Sequence, residues 1–312
     1  MISLENAIKI IICGLDNAGK TSILTALDKK FDFEKEIMQL KPTVRVEYSS
    51  LKFLGNPVYF WDMGGQKQYR ELYEKNKDIY FAGTDLLVYI IDIQDKARFD
   101  LALEYLNTIL KYFQDNNLED LPLIISLHKF DPHVRDNEDL IYNINEIKEE
   151  IVKSNPNFKI LFQQTSIYDI ISIVQLVSYG LSVFDKSFFE LSTLLEDYLE
   201  EFGCTSLILF DQNGIIISEF YSEAINPEHY VMLLENIKEH LYLLKRMLEE
   251  EKTEYNFFSI EDNFLSYLHR IKYKKFNYYI SVTIDEAKKE SLLEKFPTLI
   301  DEIFNIFDSL FG

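Results

Sequence analysis

Only two cysteines occur in the 312 residues, too few for a disulfide framework. Cys13 sits in one apolar run and Cys204 opens another, so both are expected as reduced core residues of a cytosolic protein. Basic residues are also in deficit: 32 Lys and Arg stand against 52 Asp and Glu, a net charge of −20. That balance argues against a nucleic-acid partner, whose backbone needs clustered Lys and Arg, and against direct adsorption on anionic lipid. Its simplest meaning is a solvated, solubilising surface. No stretch approaches the roughly 18 uncharged apolar residues of a membrane-spanning helix. The opening "MISLENAIKI" lacks the basic and apolar regions of a signal peptide. Ile2 stands where myristoylation requires glycine, and the ending "FDSLFG" offers no prenylatable cysteine. No direct membrane anchor is therefore expected. The location expected is cytoplasmic, with any recruitment to a membrane surface supplied by partners. Repeats, low-complexity tracts and Gly/Pro-rich linkers are absent as well.

The composition that remains, 47% hydrophobic and 27% charged, is that of an ordinary globular chain. Its length suits two domains of roughly 100–200 residues each. Short apolar runs at 7–13, 57–63, 85–92, 121–128 and 158–164 alternate with amphipathic stretches such as 97–114 and 136–153. This alternation predicts a mostly parallel six-stranded α/β sheet with helices on both faces. The segments 44–53 and 57–63 are separated only by "LGN", so they are expected as an antiparallel hairpin at the sheet edge. After about residue 184 the pattern changes. A helix at 187–202, two strands flanking Asn213-Gly214, a long helix at 228–250, three strands and a closing helix at 286–310 predict an α+β unit with an antiparallel sheet. The expected division is 1–184 and 185–312.

"GLDNAGKT" at 14–21 matches G-x-x-x-x-G-K-[ST] and lies directly between a strand and a helix. In that context Gly14 and Gly19 let backbone N–H groups turn inward, so that Gly14, Asp16, Asn17, Ala18, Gly19, Lys20, Thr21 and Ser22 can cradle phosphates. Lys20 is placed to reach β and γ oxygens, the Thr21 hydroxyl to ligate Mg²⁺, and the helix N-terminus to add partial positive charge. "WDMGGQ" at 61–66 ends a neighbouring strand. Asp62 is expected to hold Mg²⁺ through water, Gly65 to meet a γ-phosphate, and Gln66 to orient an attacking water. Thr43, alone between Thr25 and Thr84, sits where a mobile loop can close on the metal. Arg45 and Arg70 flank these segments and are expected as surface residues. "HKFD" at 128–131 ends a further strand. There Lys129 can lie along a base and Asp131 can accept from the donor pair of guanine, which adenine lacks. Ser166 and Ile167 of "TSIYD" can meet the guanine carbonyl. Every one of these pieces falls at a strand's carboxyl end, where open α/β sheets bind ligands.

On "FLGNPVYFWDMGGQ", the His128 of "HKFD", "TSIYD" and the segment "SLILFDQNGIIISEF", the chain resembles the small GTPases, specifically the Rag/Gtr type. Its phosphate loop "GLDNAGKTSI" and "KPTVRVE" resemble the Arf type, in which aspartate occupies the position of Asp16. The resemblance extends over nearly the whole chain and implies a GTP/GDP switch using Mg²⁺. It further implies a C-terminal roadblock/longin-type domain that pairs with itself or a related chain. Roadblock-type scaffold proteins, GTPase-activating proteins and exchange proteins are the partners implied. His128 replaces the more common asparagine of small GTPases. Two functions fit these residues: a slowly hydrolysing GTP switch, favoured by Gln66, Thr43, Lys20 and Thr21, and a scaffold that holds nucleotide without turnover. An ATP-dependent kinase is disfavoured by Asp131.

Overall fold

The isoleucine-rich run near the N-terminus forms the strand around which the first half of the chain is built. The computed structural model describes residues 7–29, 34–53, 56–182, 187–222, 237–244, 256–261 and 263–311. Strands β1 (Ile8–Gly14), β2 (Val46–Phe53), β3 (Asn56–Met63), β4 (Leu86–Asp92), β5 (Leu123–His128) and β6 (Ile160–Thr165) make one sheet in the order β2-β3-β1-β4-β5-β6. All neighbours run parallel except the β2–β3 hairpin, which is antiparallel and at the edge as the short "LGN" connection requires. Strand β5 is buried at every position, and its Leu123, Ile125 and Leu127 face shares one core with helices α5 (Phe99–Asp115) and α6 (Glu138–Ser154). A parallel strand covered on both faces can be apolar throughout. Ile11, Tyr89, Leu106, Phe113 and Ile125 are fully buried within this core, and the Tyr89 hydroxyl donates to the Ala102 carbonyl at 2.6 Å.

The remaining helices of this half are α1 (Lys20–Lys29), the short α2 (Glu34–Ile37), α3 (Lys67–Lys75), α4 (Lys77–Phe81) and α7 (Ile170–Ser182). Helix α5 begins two residues later than the periodicity indicates, because Lys96–Arg98 form a separate 3₁₀ turn in front of it. That turn proves important for the site.

The second half comprises α8 (Ser187–Phe202), β7 (Ser206–Asp211), β8 (Ile216–Tyr221), a helical segment α9 (237–244), β9 (Asn256–Glu261), β10 (Phe264–Tyr273), β11 (Phe276–Asp285) and α10 (Lys289–Phe311). Its five strands are all antiparallel, in the order β8-β7-β11-β10-β9. The β7–β8 turn is held by Asp211, whose Oδ1 accepts from the backbone of Asn213 and Ile215, both at 2.8 Å. Gly214 supplies the positive φ of 69° that the turn needs. Helix α10 lies on the sheet face of Tyr267 and Tyr278, in ring contact with both through Phe296 and Phe307. Helix α9 lies on the opposite face, where His240 Nδ1 is 2.6 Å from Ser281 Oγ. Leu234, Ile237, Leu241, Leu244 and Leu248 follow one another at spacings of three and four, an apolar stripe of a helix. Ile237, Leu241 and Leu244 are buried, while Leu234 and Leu248, and Met232 off the stripe, fall outside the described residues. Tyr242 is exposed and Leu243 half-buried.

By internal contacts the chain divides into Met1–Leu176 and Val177–Gly312, within α7. The last turns of α7 belong to the second unit because Ser178 Oγ accepts from Ile216 N at 3.0 Å and Tyr179 donates to Glu219 at 2.6 Å. No helix among the described residues is long and apolar enough to cross a membrane.

Candidate functional site

Strand β1 ends at Gly14, whose φ of 147° and close approach to β4 admit no side chain: a Cβ there would lie 2.3 Å from the Ile90 carbonyl oxygen. The chain then turns through Leu15–Gly19, with Asn17 at φ 61° and Gly19 at φ 97°, and enters α1 at Lys20. Asparagine is among the few residues that accept such a φ. Lys20 folds back over the turn and donates to the carbonyls of Gly14 at 3.2 Å and Leu15 at 2.7 Å. Burial lowers its pKa, opposed chiefly by the nearby Asp62 carboxylate. Ala18 is buried, Asn17 exposed, and Asp16 and Ser22 half-buried along the same loop and first helical turn. A tight loop, a buried ammonium and a helix N-terminus are the parts of an anion cradle.

Beside it three side chains from distant segments meet. Thr21 Oγ1 donates to Asp62 Oδ2 at 2.5 Å and lies 2.8 Å from Thr43 Oγ1, itself 3.3 Å from the same carboxylate oxygen. Asp62 and Thr43 are both buried. The other oxygen, Asp62 Oδ1, is buried without a hydrogen-bond partner. Burial raises the Asp62 pKa, and the Thr21 hydroxyl and Lys20 counter that rise. Two hydroxyls and a carboxylate with an unused oxygen are the hard-oxygen donor set that suits a Mg²⁺ with retained waters.

The "MGGQ" segment is seated on both neighbouring loops. Gly64 N donates to Arg45 O at 2.7 Å, and the buried Tyr73 hydroxyl donates to the same carbonyl at 2.5 Å. A Cβ on Gly64 would lie 2.7 Å from Thr43 O, and one on Gly65 would lie 2.2 Å from Asp16 N. Only glycine permits backbone contact this close. Gln66 is the N-cap residue of α3, and its Oε1 accepts from Gln68 Nε2 at 3.1 Å. Arg45 is exposed, as expected from sequence. Arg70 is not a free surface residue: it is half-buried, with its Nε donating to Gly65 O at 3.1 Å and its guanidinium over the Tyr105 ring.

At the ends of β5 and β6 the third corner forms. His128 Nδ1 lies 2.9 Å from Thr165 Oγ1, and a Cβ on Gly19 would lie 2.4 Å from its ring. His128 therefore packs the ends of β5 and β6 against the loop that follows β1. Burial, reinforced by Lys129, lowers its pKa to about 4. Lys129, at φ 65°, pairs its ammonium with Asp92 Oδ2 at 2.6 Å. Asp131 is buried, with Oδ1 accepting from Ser166 Oγ at 2.5 Å and Oδ2 from Gln94 Nε2 at 3.1 Å. The Ser166 N–H donates to Ser172 Oγ at 3.1 Å, and Ile167 follows in the turn that Arg135 braces through Asp169 at 2.8 Å.

Residues 1–175 match the ADP-ribosylation factor family (Arf). The chain belongs to that family. It is 37% identical over 127 residues to ADP-ribosylation factor-like protein 3 of Chlamydomonas reinhardtii, covering 41% of this chain and 65% of that one, just under two thirds of the relative's length. Similarity to GTP-binding protein gtr1 of Schizosaccharomyces pombe is 24% over 290 residues, covering 91% of this chain and 90% of that protein. Ras-related GTP-binding protein A of Dictyostelium discoideum is 29% identical over 163 residues, covering 52% of each. In this Arf-family chain the loop after β1, the Thr21, Thr43 and Asp62 cluster and the residues after β5 and β6 thus lie at the carboxyl ends of strands of the first sheet, and an additional antiparallel unit follows in the chain.

Gln94, Arg98 and Tyr73 join the site without having been expected there. Gln94 and Arg98 follow the carboxyl end of β4, so the rule that open α/β sheets bind at strand carboxyl ends is the signal that singles them out. Tyr73 carries no such signal, since its partner is a backbone carbonyl in a distant loop.

Proposed function

We propose that this chain is a GTP/GDP switch of Rag/Arf-like type that hydrolyses GTP slowly. The observation that carries the reading is Thr43: it comes from the loop before β2, outside the sheet, and its hydroxyl meets Thr21 and Asp62. Lys20 and the loop from Gly14 to Ser22 bind the phosphates. Thr21 and Thr43 would hold Mg²⁺ directly and Asp62 through water, and the ion would neutralise charge on the β and γ oxygens. Asp131 reads guanine, with Lys129, Ser166 and Ile167 around the base and His128 fixing that corner to the phosphate loop. Gly65 rests on Asp16 and senses the γ-phosphate.

Gln66 is the residue for orienting the attacking water. Its bond to Gln68 supports a slow intrinsic rate, because the amide must leave that partner first. Neither Arg70 nor Arg98 is free to serve as an internal catalytic arginine, since each already clasps a site carbonyl. An arginine from a GTPase-activating partner would raise the rate by about 10³–10⁵. Single-turnover hydrolysis tests this: Gln66→Leu should abolish turnover while leaving binding intact. Equal rates for parent and variant would remove Gln66 from the mechanism. The Gln66–Gln68 bond equally favours a second reading, a nucleotide-bound scaffold without turnover, which the same assay identifies by a parent that never releases phosphate.

The division into 1–184 and a roadblock/longin-like 185–312 belongs to the same proposal, with pairing through the second unit. Tyr242 on α9 and Phe258 and Ile260 on edge strand β9 are exposed, and supply apolar surface for a second such chain. The gtr1 similarity over 91% of this chain supports partners of that kind, including roadblock-type scaffolds and exchange proteins. A stable pair buries roughly 1,200–2,000 Å².

A further inference from the structure

Arg98 ends the 3₁₀ turn after β4 and reaches back to the phosphate loop. Its Nη1 donates to the carbonyl of Asp16 at 2.9 Å and its Nη2 to the carboxylate Oδ1 of the same residue at 2.6 Å. One guanidinium therefore grips both the backbone and the charge of a single loop residue. Its planar fork allows this, whereas a lysine ammonium offers a point charge without that geometry. Asp16 is the third residue of "GLDNAGKT", and its backbone is the surface against which Gly65 is seated. On the guanine-nucleotide reading, in which Gly65 meets the γ-phosphate, a carboxylate on the residue that seats Gly65 adds negative charge beside a polyanionic ligand.

We propose that Arg98 is a positioning residue that makes an aspartate compatible with a triphosphate in this loop. By clasping and neutralising Asp16, it removes like-charge repulsion toward the γ-phosphate and sets the preference of the site for GTP over GDP. The inference rests on the guanine-nucleotide reading above. The repulsion it removes acts on the terminal phosphate, so losing Arg98 penalises GTP more than GDP. Both side chains are partly solvated, which screens the effect, and about a tenfold fall in the GTP:GDP affinity ratio is expected.

The test is equilibrium titration of full-length protein with fluorescent GDP and a fluorescent non-hydrolysable GTP analogue, in Mg²⁺, for four chains: parent, Arg98→Ala, Asp16→Ala and the double variant. Arg98→Ala should lower the GTP:GDP ratio about tenfold, Asp16→Ala should not lower it, and the double variant should return to the Asp16→Ala value. Arg98→Lys, keeping the charge but not the fork, should fall between parent and Arg98→Ala. A purely structural staple would weaken both nucleotides equally, and that result overturns the proposal. So does a loss on removing Arg98 that persists in the Asp16→Ala background, an arm that remains readable if Arg98→Ala alone folds poorly. A parent that binds neither nucleotide would overturn the underlying reading as well, and is told apart by the parent titration alone.

Discussion

Replacing Gly19 with alanine perturbs the seam between the phosphate loop and the base-side strands at a single atom. Two costs follow from the geometry. Alanine would have to hold φ 97°, a region that costs a non-glycine residue about 1–3 kcal/mol. Its Cβ would also lie 2.4 Å from His128 Cδ2 and 2.6 Å from Nε2, so the buried ring must move. Moving it breaks the 2.9 Å bond to Thr165, worth about 1 kcal/mol. The expected loss is about 2–4 kcal/mol in the first unit. Trp61 is the only tryptophan of the chain and lies in β3, with the Lys9 ammonium 3.9 Å from its ring centroid. Its fluorescence therefore follows unfolding of the first unit alone. Urea titration without nucleotide should show a lower midpoint at unchanged slope. In a His128→Ala background the ring is gone, and the Gly19→Ala loss should shrink by about 1 kcal/mol. A loss below about 0.5 kcal/mol, or strict additivity of the two changes, would refute the packing of His128 on the loop.

His128 also predicts a pH dependence. Burial holds its folded pKa near 4 against an ordinary 6.5, so the folded chain binds this proton less readily than the unfolded one. Its contribution is complete above pH 6.5 and is lost as pH falls through 6.5 toward 4, at up to about 1.4 kcal/mol per unit. His128→Asn should remove that slope from the Trp61 midpoint, and an unchanged slope would place the titration elsewhere. Tyr73→Phe deletes the hydroxyl that holds the Arg45 carbonyl. It should cost about 0.5–1.5 kcal/mol by the same urea titration, with no loss telling against that contact. Tyr242→Glu should shift sedimentation of the full chain toward monomer without altering nucleotide binding. A parent that is monomeric at every micromolar concentration, alone or with related chains, would remove pairing from the account.

What could be read from the residues follows from how local each signal is. Strands β4 and β5 are short apolar runs, and "LGN" is too short for anything but a hairpin, so the first sheet follows from local pattern alone. Gly14, Gly19 and Lys20 announce themselves because their spacing imposes one backbone course. Arg98 and Gln94 act through contacts reached only after the strands are aligned, and the 3₁₀ turn that aims Arg98 leaves no periodicity to read. Arg70 looked like a surface cation because nothing local shows that Gly65 O and the Tyr105 ring will lie beside it. On α9, the spacing of three and four puts Ile237, Leu241 and Leu244 on one face, and they are buried. It gave no sign that His240 would be buried beside Ser281, since a lone histidine in a helix carries no label for its partner.

The central claim is a guanine-specific, Mg²⁺-dependent nucleotide site centred on Asp131 and the Thr21, Thr43 and Asp62 corner. Its most direct test is displacement of fluorescent GDP from the full chain by GDP, GTP and ATP, with and without Mg²⁺, in parent and Asp131→Ala. GTP and GDP should displace it and ATP should not, and chelating Mg²⁺ should weaken binding. Loss of the carboxylate should cost the guanine nucleotides about 1.5–3 kcal/mol, roughly a factor of 10 to 150 in affinity. Equal displacement by ATP and GTP, or an Asp131→Ala chain that still prefers guanine, would contradict the account.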